Sequence, residues 1–183
     1  MKAKNLSVVF LMALAVISCK DEKKTDDASK VSEILKVENG FKVAFDLIAK
    51  KDDNFHLYYT EDNSINFTEE KSLWLPFKGS DMEQEVKFVL PDDVIPTNFR
   101  VDFGYGVNKE QSDIVLKKFK MKYYDKTFEV KDSLMFYYFY PNKDNTILDN
   151  THATLKRIKP DQATAPSIYP NTPLSAEILK MVK

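Results

Sequence analysis

The amino-acid sequence predicts an all-β fold, an antiparallel β-sandwich that ends in one short C-terminal helix. Short segments in which apolar and polar residues alternate recur along most of the chain, separated by turn residues about every eight to twelve positions. The chain also has 13 Phe and 9 Tyr but only 4 Gly, and aromatic side chains fit the pleated surface of packed strands. About nine or ten strands are expected, a number typical of two packed sheets.

Length and composition set the size of this fold. The chain has 183 residues, of which 43% are hydrophobic, which is enough for one domain with its own core. The formal net charge is −1, so the chain as a whole offers no electrostatic attraction for nucleic acid or for an anionic membrane surface.

Five strands are predicted in the first part of the sandwich, each with period-two alternation of apolar and polar residues. Asn39-Gly40 precedes the first strand and is typical of hairpin turns, because both positions tolerate positive φ. Pro76 places the third strand at a sheet edge or at a strand end. The five segments are 41–47, 55–59, 73–77, 86–90 and 99–103.

The next strand changes parity along its length. Ile114 and Leu116 lie on one parity, whereas Phe119 and Met121 lie on the other, so a β-bulge is expected at Lys117-Lys118. A turn at 124–126 leads to a strand at 127–130, and the run LMFYYFY at 134–140 predicts a strand that is apolar on both faces and buried on both sides. The sandwich domain is therefore assigned to residues 31–140.

The character of the sequence changes after Tyr140. Proline recurs in this region, which predicts a partly extended tail at residues 141–183 that lies over the domain. Thr172-Pro173 is a typical helix start, and 176–182 can continue that helix. The tail prolines are Pro141, Pro160, Pro166, Pro170 and Pro173.

The N-terminus has the pattern of an export signal. Lys2 and Lys4 precede a nearly continuous apolar run at 8–17, which is too short to span a bilayer. The run ends in Val16-Ile17-Ser18-Cys19, which resembles the bacterial lipobox. That resemblance implies that residues 1–18 are a lipoprotein signal peptide and that Cys19, the only cysteine, carries fatty acyl chains such as palmitate. The alternative is an ordinary signal peptide with an incidental cysteine.

A charged tether is predicted at residues 19–30. Eight of the eleven residues from Lys20 to Lys30 are charged, and such a stretch cannot bury enough apolar surface to fold alone; a solvated helix start is the alternative. Lys20-Asp21-Glu22 resembles the short acidic export signal that follows the lipidated cysteine of Bacteroidetes surface lipoproteins. This resemblance implies a protein anchored in the bacterial outer membrane and exposed at the cell surface.

Residues 40–145 resemble jelly-roll modules of the carbohydrate-binding type, and especially uncharacterised β-sandwich segments of Bacteroidetes envelope proteins. The phrase Arg100-Val101-Asp102-Phe103-Gly104, the I-x-L-x-x-F phrase at 114–119 and Tyr138-Phe139-Tyr140-Pro141-Asn142 carry the resemblance. It implies a jelly-roll-like sandwich. Most of these positions are core or turn positions, so the resemblance supports a fold better than a function.

A candidate ligand face follows from strand parity. Five residues lie on the parity opposite to the apolar one, namely His56, Tyr58, Trp74, Arg100 and Asp102. Aromatic rings stack on the apolar faces of sugars and the polar groups bind hydroxyls, so this composition suits a glycan or another small ligand. The alternative is that Trp74 and Tyr58 pack under loops or the tail and that Arg100 pairs with Asp102 or a neighbour.

The sequence has no recognisable catalytic motif, and we expect a protein that is not an enzyme. The only histidines are His56 and His152, far apart in the sequence and without a glycine-framed serine nearby. Two histidines are also a poor basis for a zinc site, and no carboxylate pair stands out as a hydrolase pair.

Two further candidate sites come from short patterns. Asp144, Asn145 and Asp149 are weak candidates for a structural calcium site, the only cofactor considered, because they lack the ordered spacing of a known calcium loop. Asp132-Ser133-Leu134 resembles the O-glycosylation site of Bacteroidetes exported proteins, which implies a glycan on Ser133.

The sequence therefore predicts a lipid-anchored envelope protein with a non-catalytic β-sandwich that binds a glycan or a small ligand. A structural or accessory envelope protein that binds another protein through a sheet edge or the tail is the alternative, and a hydrolase is a remote one. The expected partners are the membrane, through the lipid anchor, and a glycan or an envelope protein, but not nucleic acid.

Overall fold

A computed structural model describes residues 40–106 and 108–183. The predicted signal peptide, Cys19, the charged tether and Asn39 lie outside the described residues. Eleven strands form two antiparallel sheets, and one α-helix lies at the C-terminal end. The predicted all-β sandwich with a short C-terminal helix is confirmed.

Six strands form sheet A, in the order β4-β1-β6-β10-β9, with β7 paired to β6. These strands are β1 (Lys42–Ala49), β4 (Ser80–Val89), β6 (Ile114–Tyr123), β7 (Lys126–Lys131), β9 (Thr146–Asp149) and β10 (Thr154–Arg157). The predicted bulge is present, because Asp46 pairs with Lys118 while Leu47 pairs with Leu116, which leaves Lys117 without an opposite residue on β1.

Five strands form sheet B, in the order β3-β2-β5-β11-β8. They are β2 (Asp53–Thr60), β3 (Ser72–Phe77), β5 (Asn98–Asp102), β8 (Phe139–Pro141) and β11 (Ser167–Pro170). The strand that contains Pro76 is an edge strand, as the proline predicts, because a proline in a central strand removes a ladder hydrogen bond.

Phenylalanine side chains fill the space between the sheets. Phe41 and Phe45, from the β1 side, contact Phe99 and Phe103, from the β5 side, with ring centroids 5.7 Å and 5.5 Å apart. All four are fully buried. The alternation that the sequence shows is thus the alternation between this core and the two outer faces.

The segment at 132–140 differs from the predicted strand. A 3₁₀ helix covers Asp132–Tyr137, and only Phe139–Pro141 is extended. Met135 and Phe139 are buried, whereas Leu134 and Tyr137 are exposed. The two exposed residues are three positions apart, which is one turn of a 3₁₀ helix, so this side faces solvent while the rest of the segment packs on the core.

The C-terminal segment is built into the sandwich instead of lying over it. β9 and β10 extend sheet A, and β11 lies between β5 and β8 in sheet B. The boundary drawn at Tyr140 therefore does not separate the sandwich from a covering tail. The helix α1 (Thr172–Val182) begins where Thr172-Pro173 predicts, and it buries Leu174, Ile178 and Met181 against strands of both sheets.

Candidate functional site

The outer face of sheet B brings together all five residues of the predicted ligand face. His56 on β2 lies opposite Trp74 on β3 and opposite Asp102 on β5, and Tyr58 lies opposite Arg100. The three strands are adjacent, so residues of the same parity form neighbouring rows. We call this surface, together with the neighbouring Tyr105, Tyr140 and Tyr169, the aromatic face.

One half of the aromatic face is a stack of rings. The imidazole of His56 lies 3.7 Å from the indole of Trp74 and 3.9 Å from the phenol ring of Tyr58, measured between centroids. Tyr105, from the loop after β5, adds a ring 5.8 Å from Trp74, inclined by 59°. Trp74 and Tyr105 thus lie side by side at the surface, as two rings in tilted contact.

The other half is organised around Arg100. Its guanidinium donates two hydrogen bonds to the Asp102 carboxylate, from Nε at 2.8 Å and from Nη2 at 2.7 Å. The same guanidinium lies over the rings of Tyr58 and Tyr169, 4.8 Å and 5.0 Å from their centroids. Tyr169 in turn stacks on Tyr140 at 5.8 Å, so aromatic contacts continue to the far edge of the sheet.

The loop at 61–71 covers the centre of this face. Phe67 contacts Tyr58 and Tyr169, with centroids 6.4 Å and 5.9 Å apart. Glu69 accepts hydrogen bonds from Trp74 Nε1 at 2.8 Å and from the Tyr58 hydroxyl at 3.3 Å. The predicted alternative is therefore realised in part: Tyr58 lies under a loop and Arg100 is bound to Asp102.

Solvent exposure separates the residues of the aromatic face into two groups. His56 is 1% exposed, and the side chains of Arg100 and Asp102 are largely buried. Trp74 is 45% exposed and Tyr105 55%. The rings of Trp74 and Tyr105 are therefore accessible to solvent, whereas His56, Arg100 and Asp102 lie largely beneath the surface.

A second accessible region lies at the opposite margin. Tyr140 and Tyr169 line a groove of about 510 Å³ together with the turn after β8, which contributes Asn142, Lys143 and Asp144. This volume lies within the usual range for small-molecule sites. Sequence reasoning missed Tyr105, Tyr140 and Tyr169, because they lie in a loop and in strands too short to show a period.

The Tyr105 loop is held in place by buried polar contacts. Asp53 accepts hydrogen bonds from the Tyr105 backbone N–H at 2.6 Å and from Asn108 Nδ2 at 2.8 Å. Arg157 donates to the carbonyls of Gly106 at 2.9 Å and Asn108 at 2.7 Å. Gly104 begins this loop with φ of 144°, which favours glycine. The position of Tyr105 beside Trp74 is thus preorganised.

Burial shifts two pKa values at the aromatic face. Removal from water lowers the pKa of His56 to about 4; the carboxylate of Glu69 opposes this shift and the guanidinium of Arg100 adds to it. Removal from water also raises the pKa of Tyr58 to about 12. Both groups are therefore neutral at neutral pH, and the imidazole acts as a stacking surface.

The remaining histidine lies elsewhere. His152 is well exposed, and its Nδ1 lies 2.8 Å from Asp149 Oδ2. The other oxygen, Asp149 Oδ1, accepts hydrogen bonds from the backbone N–H groups of Thr151 and His152, so both oxygens are engaged within their own loop. Asn145 is buried, and its Oδ1 accepts hydrogen bonds from the hydroxyls of Thr146 and Ser167.

These contacts bear on the weak calcium candidates. Asp144 is exposed on the turn after β8, while Asn145 and Asp149 use their side-chain oxygens internally. In the part of the chain that the structure describes, no group of three or more His, Cys, Asp or Glu side chains is placed to hold a metal ion. Ser133 is half-buried in the first turn of the 3₁₀ helix at Asp132–Tyr137.

Comparison with known proteins identifies no relative of this chain. The chain matches no protein-family description, no curated protein and no solved structure. Within residues 40–106 and 108–183, no helix combines the length and apolar character needed to cross a bilayer. The resemblances to lipoproteins and to carbohydrate-binding jelly-roll modules stay predictions.

Proposed function

We propose that this chain is a lipid-anchored, non-catalytic protein of the bacterial cell envelope that binds a glycan at the aromatic face. The observation that supports this proposal best is the pair of exposed rings of Trp74 and Tyr105, whose centroids lie 5.8 Å apart. A sugar ring can stack on the solvent-exposed surface of this pair, because His56 stacks on the indole from its buried side.

The carboxylate beside the two rings suits a neutral sugar. Glu69 is held beside the indole by the Trp74 Nε1 hydrogen bond, and its side chain is well exposed. Its carboxylate can accept hydrogen bonds from sugar hydroxyls, whereas it repels acidic sugars. Since Trp74 and Tyr105 are both fixed by neighbours, little conformational entropy is lost on binding.

The indole itself reports binding, because Trp74 is the only tryptophan in the chain. We expect a neutral glycan, found by screening the full chain in detergent on a glycan array, to change the Trp74 emission on titration. Trp74→Ala should weaken binding at least about tenfold, as expected for a central aromatic anchor. Tyr137→Ala removes an exposed ring of the 3₁₀ helix and should leave binding unchanged.

The glycan proposal fails if no neutral glycan binds, or if Trp74→Ala binds as tightly as the wild type. Trp74→Phe provides a folding control, because it keeps a ring against His56 while it removes the Nε1 hydrogen bond. Far-UV circular dichroism of each variant shows whether a loss of binding accompanies a loss of structure.

The anchoring part of the proposal is tested separately. Cys19→Ala should release the protein from membranes, and continued partitioning into the detergent phase would contradict lipidation. Protease treatment of whole cells should degrade the wild type and spare a variant in which Lys20, Asp21 and Glu22 are alanine. Equal sensitivity of the two would contradict the proposed surface export.

A second candidate function is accessory binding of another envelope protein, and one feature favours it. A groove of about 600 Å³ lies between α1 and the segment before β5, and its walls include exposed Ile95 and Leu179. Apolar side chains exposed in a groove are typical of protein contacts. A photo-crosslinker at Leu179 that yields one defined adduct in cells, abolished by Ile95→Asp, would favour this function.

A further inference from the structure

The outer face of sheet A differs sharply in charge from the rest of the chain. Its outward-pointing side chains come from β4, β1, β6 and β7, which are adjacent in that order. We call this surface the lysine face. Its charged residues are Lys42, Lys87, Lys118, Lys120, Lys122, Lys131, Asp46, Glu83, Glu85 and Glu129.

Positive charges lie directly opposite one another in the centre of this face. Lys42 on β1 pairs in register with Lys122 on β6. Ala44 lies between Lys87 on β4 and Lys120 on β6. Like charges in directly opposite positions destabilise a sheet, so this arrangement has a cost that a bound anion would offset.

The acidic residues of the lysine face neutralise only part of this charge. Lys118 Nζ lies 2.7 Å from Asp46 Oδ2. The two oxygens of Glu85 bind two lysines, with Oε2 3.0 Å from Lys120 Nζ and Oε1 3.8 Å from Lys87 Nζ. Lys122 and Lys131 form no ion pair with any residue that the structure describes. The face has six lysines and four acidic residues, so its formal charge is positive although that of the chain is −1.

A shallow depression lies at the centre of the lysine face. It has a volume of about 210 Å³ and is lined by Lys42, Lys87, Lys120 and Lys122, with Ala44 and Glu85. The methyl group of Ala44 is too short to fill the space between the flanking lysines. An anionic oxygen group such as a phosphate, placed here, meets several ammonium donors at once.

We propose that the lysine face docks on an anionic lipid surface through phosphate-bearing headgroups. Charge complementarity is the first argument, since lysines on one face are attracted to such a surface within about one Debye length. The second is position: β1 begins at Lys42, so the chain enters the sandwich on this sheet, and the aromatic face lies on the opposite side, where it stays open to a ligand.

Amine labelling of the full chain tests this proposal residue by residue. The chain is incorporated into vesicles of phosphatidylcholine, or of phosphatidylcholine with about one-third phosphatidylglycerol, and each lysine is acylated and quantified by mass spectrometry. We expect Lys87, Lys120 and Lys122 to react about tenfold more slowly on the anionic vesicles. Control lysines outside this face should react equally on both; these are Lys51, Lys109 and Lys159.

Salt and matched variants sharpen the test. The protection should vanish in about 1 M salt, where the Debye length is about 3 Å. Reversal of three face lysines (Lys87→Glu, Lys120→Glu, Lys122→Glu) should abolish the protection of Lys131, which is exposed on the same face. The equal charge change at Lys51, Lys109 and Lys159 should leave it intact, with unchanged Trp74 emission reporting the fold in both variants.

Three outcomes would overturn the proposal. Equal labelling of the face lysines on both vesicles shows that the surface does not dock. Equal protection of the control lysines shows that the attraction is not confined to this face. Protection on neutral vesicles by soluble polyphosphate, as strong as that by the anionic lipid, assigns the face to a soluble polyanion instead.

Discussion

The imidazole ring of His56 lies face to face with the indole ring of Trp74, with centroids 3.7 Å apart and planes inclined by 20°. His56 Nε2 is buried and has no hydrogen-bond partner among the described residues, and the nearest carboxylate oxygen, Glu69 Oε1, is 3.7 Å away. A protonated imidazole at this position would be a poorly compensated buried charge, whereas the neutral ring is an apolar support for the indole.

This burial predicts a pH-dependent loss of stability. The pKa of His56 is about 4 in the folded chain and about 6.5 when exposed. Between these values the unfolded chain binds more protons, so the free energy of unfolding falls as the pH is lowered from about 6.5 to about 4. The full loss is about 3 kcal/mol.

His56→Gln should lose this part of the pH dependence. Urea unfolding of both proteins at about pH 7 and about pH 4.5 measures it, and the carboxylates common to both cancel in the comparison. An equal fall in stability in the wild type and the variant would show that His56 does not titrate as its surroundings indicate.

Glu69 should control access to Trp74. Its carboxylate binds both the indole N–H and the Tyr58 hydroxyl, and it thereby fixes loop 61–71 on the aromatic face. We expect Glu69→Ala to increase quenching of Trp74 emission by acrylamide and to lower the free energy of unfolding by about 1 kcal/mol. Glu70→Ala removes the same charge from the next residue and should change neither quantity.

Arg157 should hold the loop that places Tyr105 beside Trp74. Its guanidinium donates to the carbonyls of Gly106, Asn108 and Gln162, a fan of contacts that one ammonium group cannot span. We expect Arg157→Lys to lower the free energy of unfolding by about 2 kcal/mol and to accelerate hydrogen exchange in loop 103–113. Lys156→Ala, which removes only an exposed ion pair with Asp113, is the control. Unchanged exchange in Arg157→Lys would contradict this role.

The bulge in β6 should be removable. Without Lys117, Leu116 faces the core, Lys118 faces outward and Phe119 faces the core, in the order that a regular strand requires. We expect deletion of Lys117 to keep the fold and to cost at most about 2 kcal/mol. Deletion of Lys120 instead turns Met121 outward and should unfold the chain. Circular dichroism and urea unfolding distinguish the two, and equal damage would show that the bulge itself is required.

The sequence predicts the longer strands because each has one buried and one exposed side. The change of parity between Leu116 and Phe119 also locates the bulge. Both residues face the core although they are an odd number of positions apart, which requires one extra residue between them. The same reasoning places His56, Trp74 and Arg100 on one face.

Where no alternation of apolar and polar residues is visible, the predicted secondary structure is wrong or missing. The run at 134–140 is so uniformly apolar that the three-residue spacing of exposed Leu134 and Tyr137 does not stand out. β9, β10 and β11 have four residues each, too few to show alternation. Strand parity also cannot show that loop 61–71 folds back over the aromatic face, because that depends on contacts of Phe67 and Glu69 with distant residues.

Net charge misleads for a related reason. The net charge is a sum over the whole chain, so it does not show how charge is distributed between the two outer faces. On β6 the outward positions are lysines at every second residue, Lys118, Lys120 and Lys122. Only the alignment of β6 with β1 and β4 shows that these charges accumulate on one side of the sandwich.

The position of β11 sets the order in which the aromatic face is completed during synthesis. Ser167 pairs with Asp102 and Tyr169 with Tyr140, so β11 joins two strands that have no other link within sheet B. The hairpin of β6 and β7 forms from local contacts, but sheet B stays in two pieces until residues 167–170 have been synthesised. Pairings between segments so distant in the chain are slow to form. The stacking of Arg100 between Tyr58 and Tyr169 is therefore a late folding event, and a chain interrupted before Ser167 leaves its aromatic face unfinished.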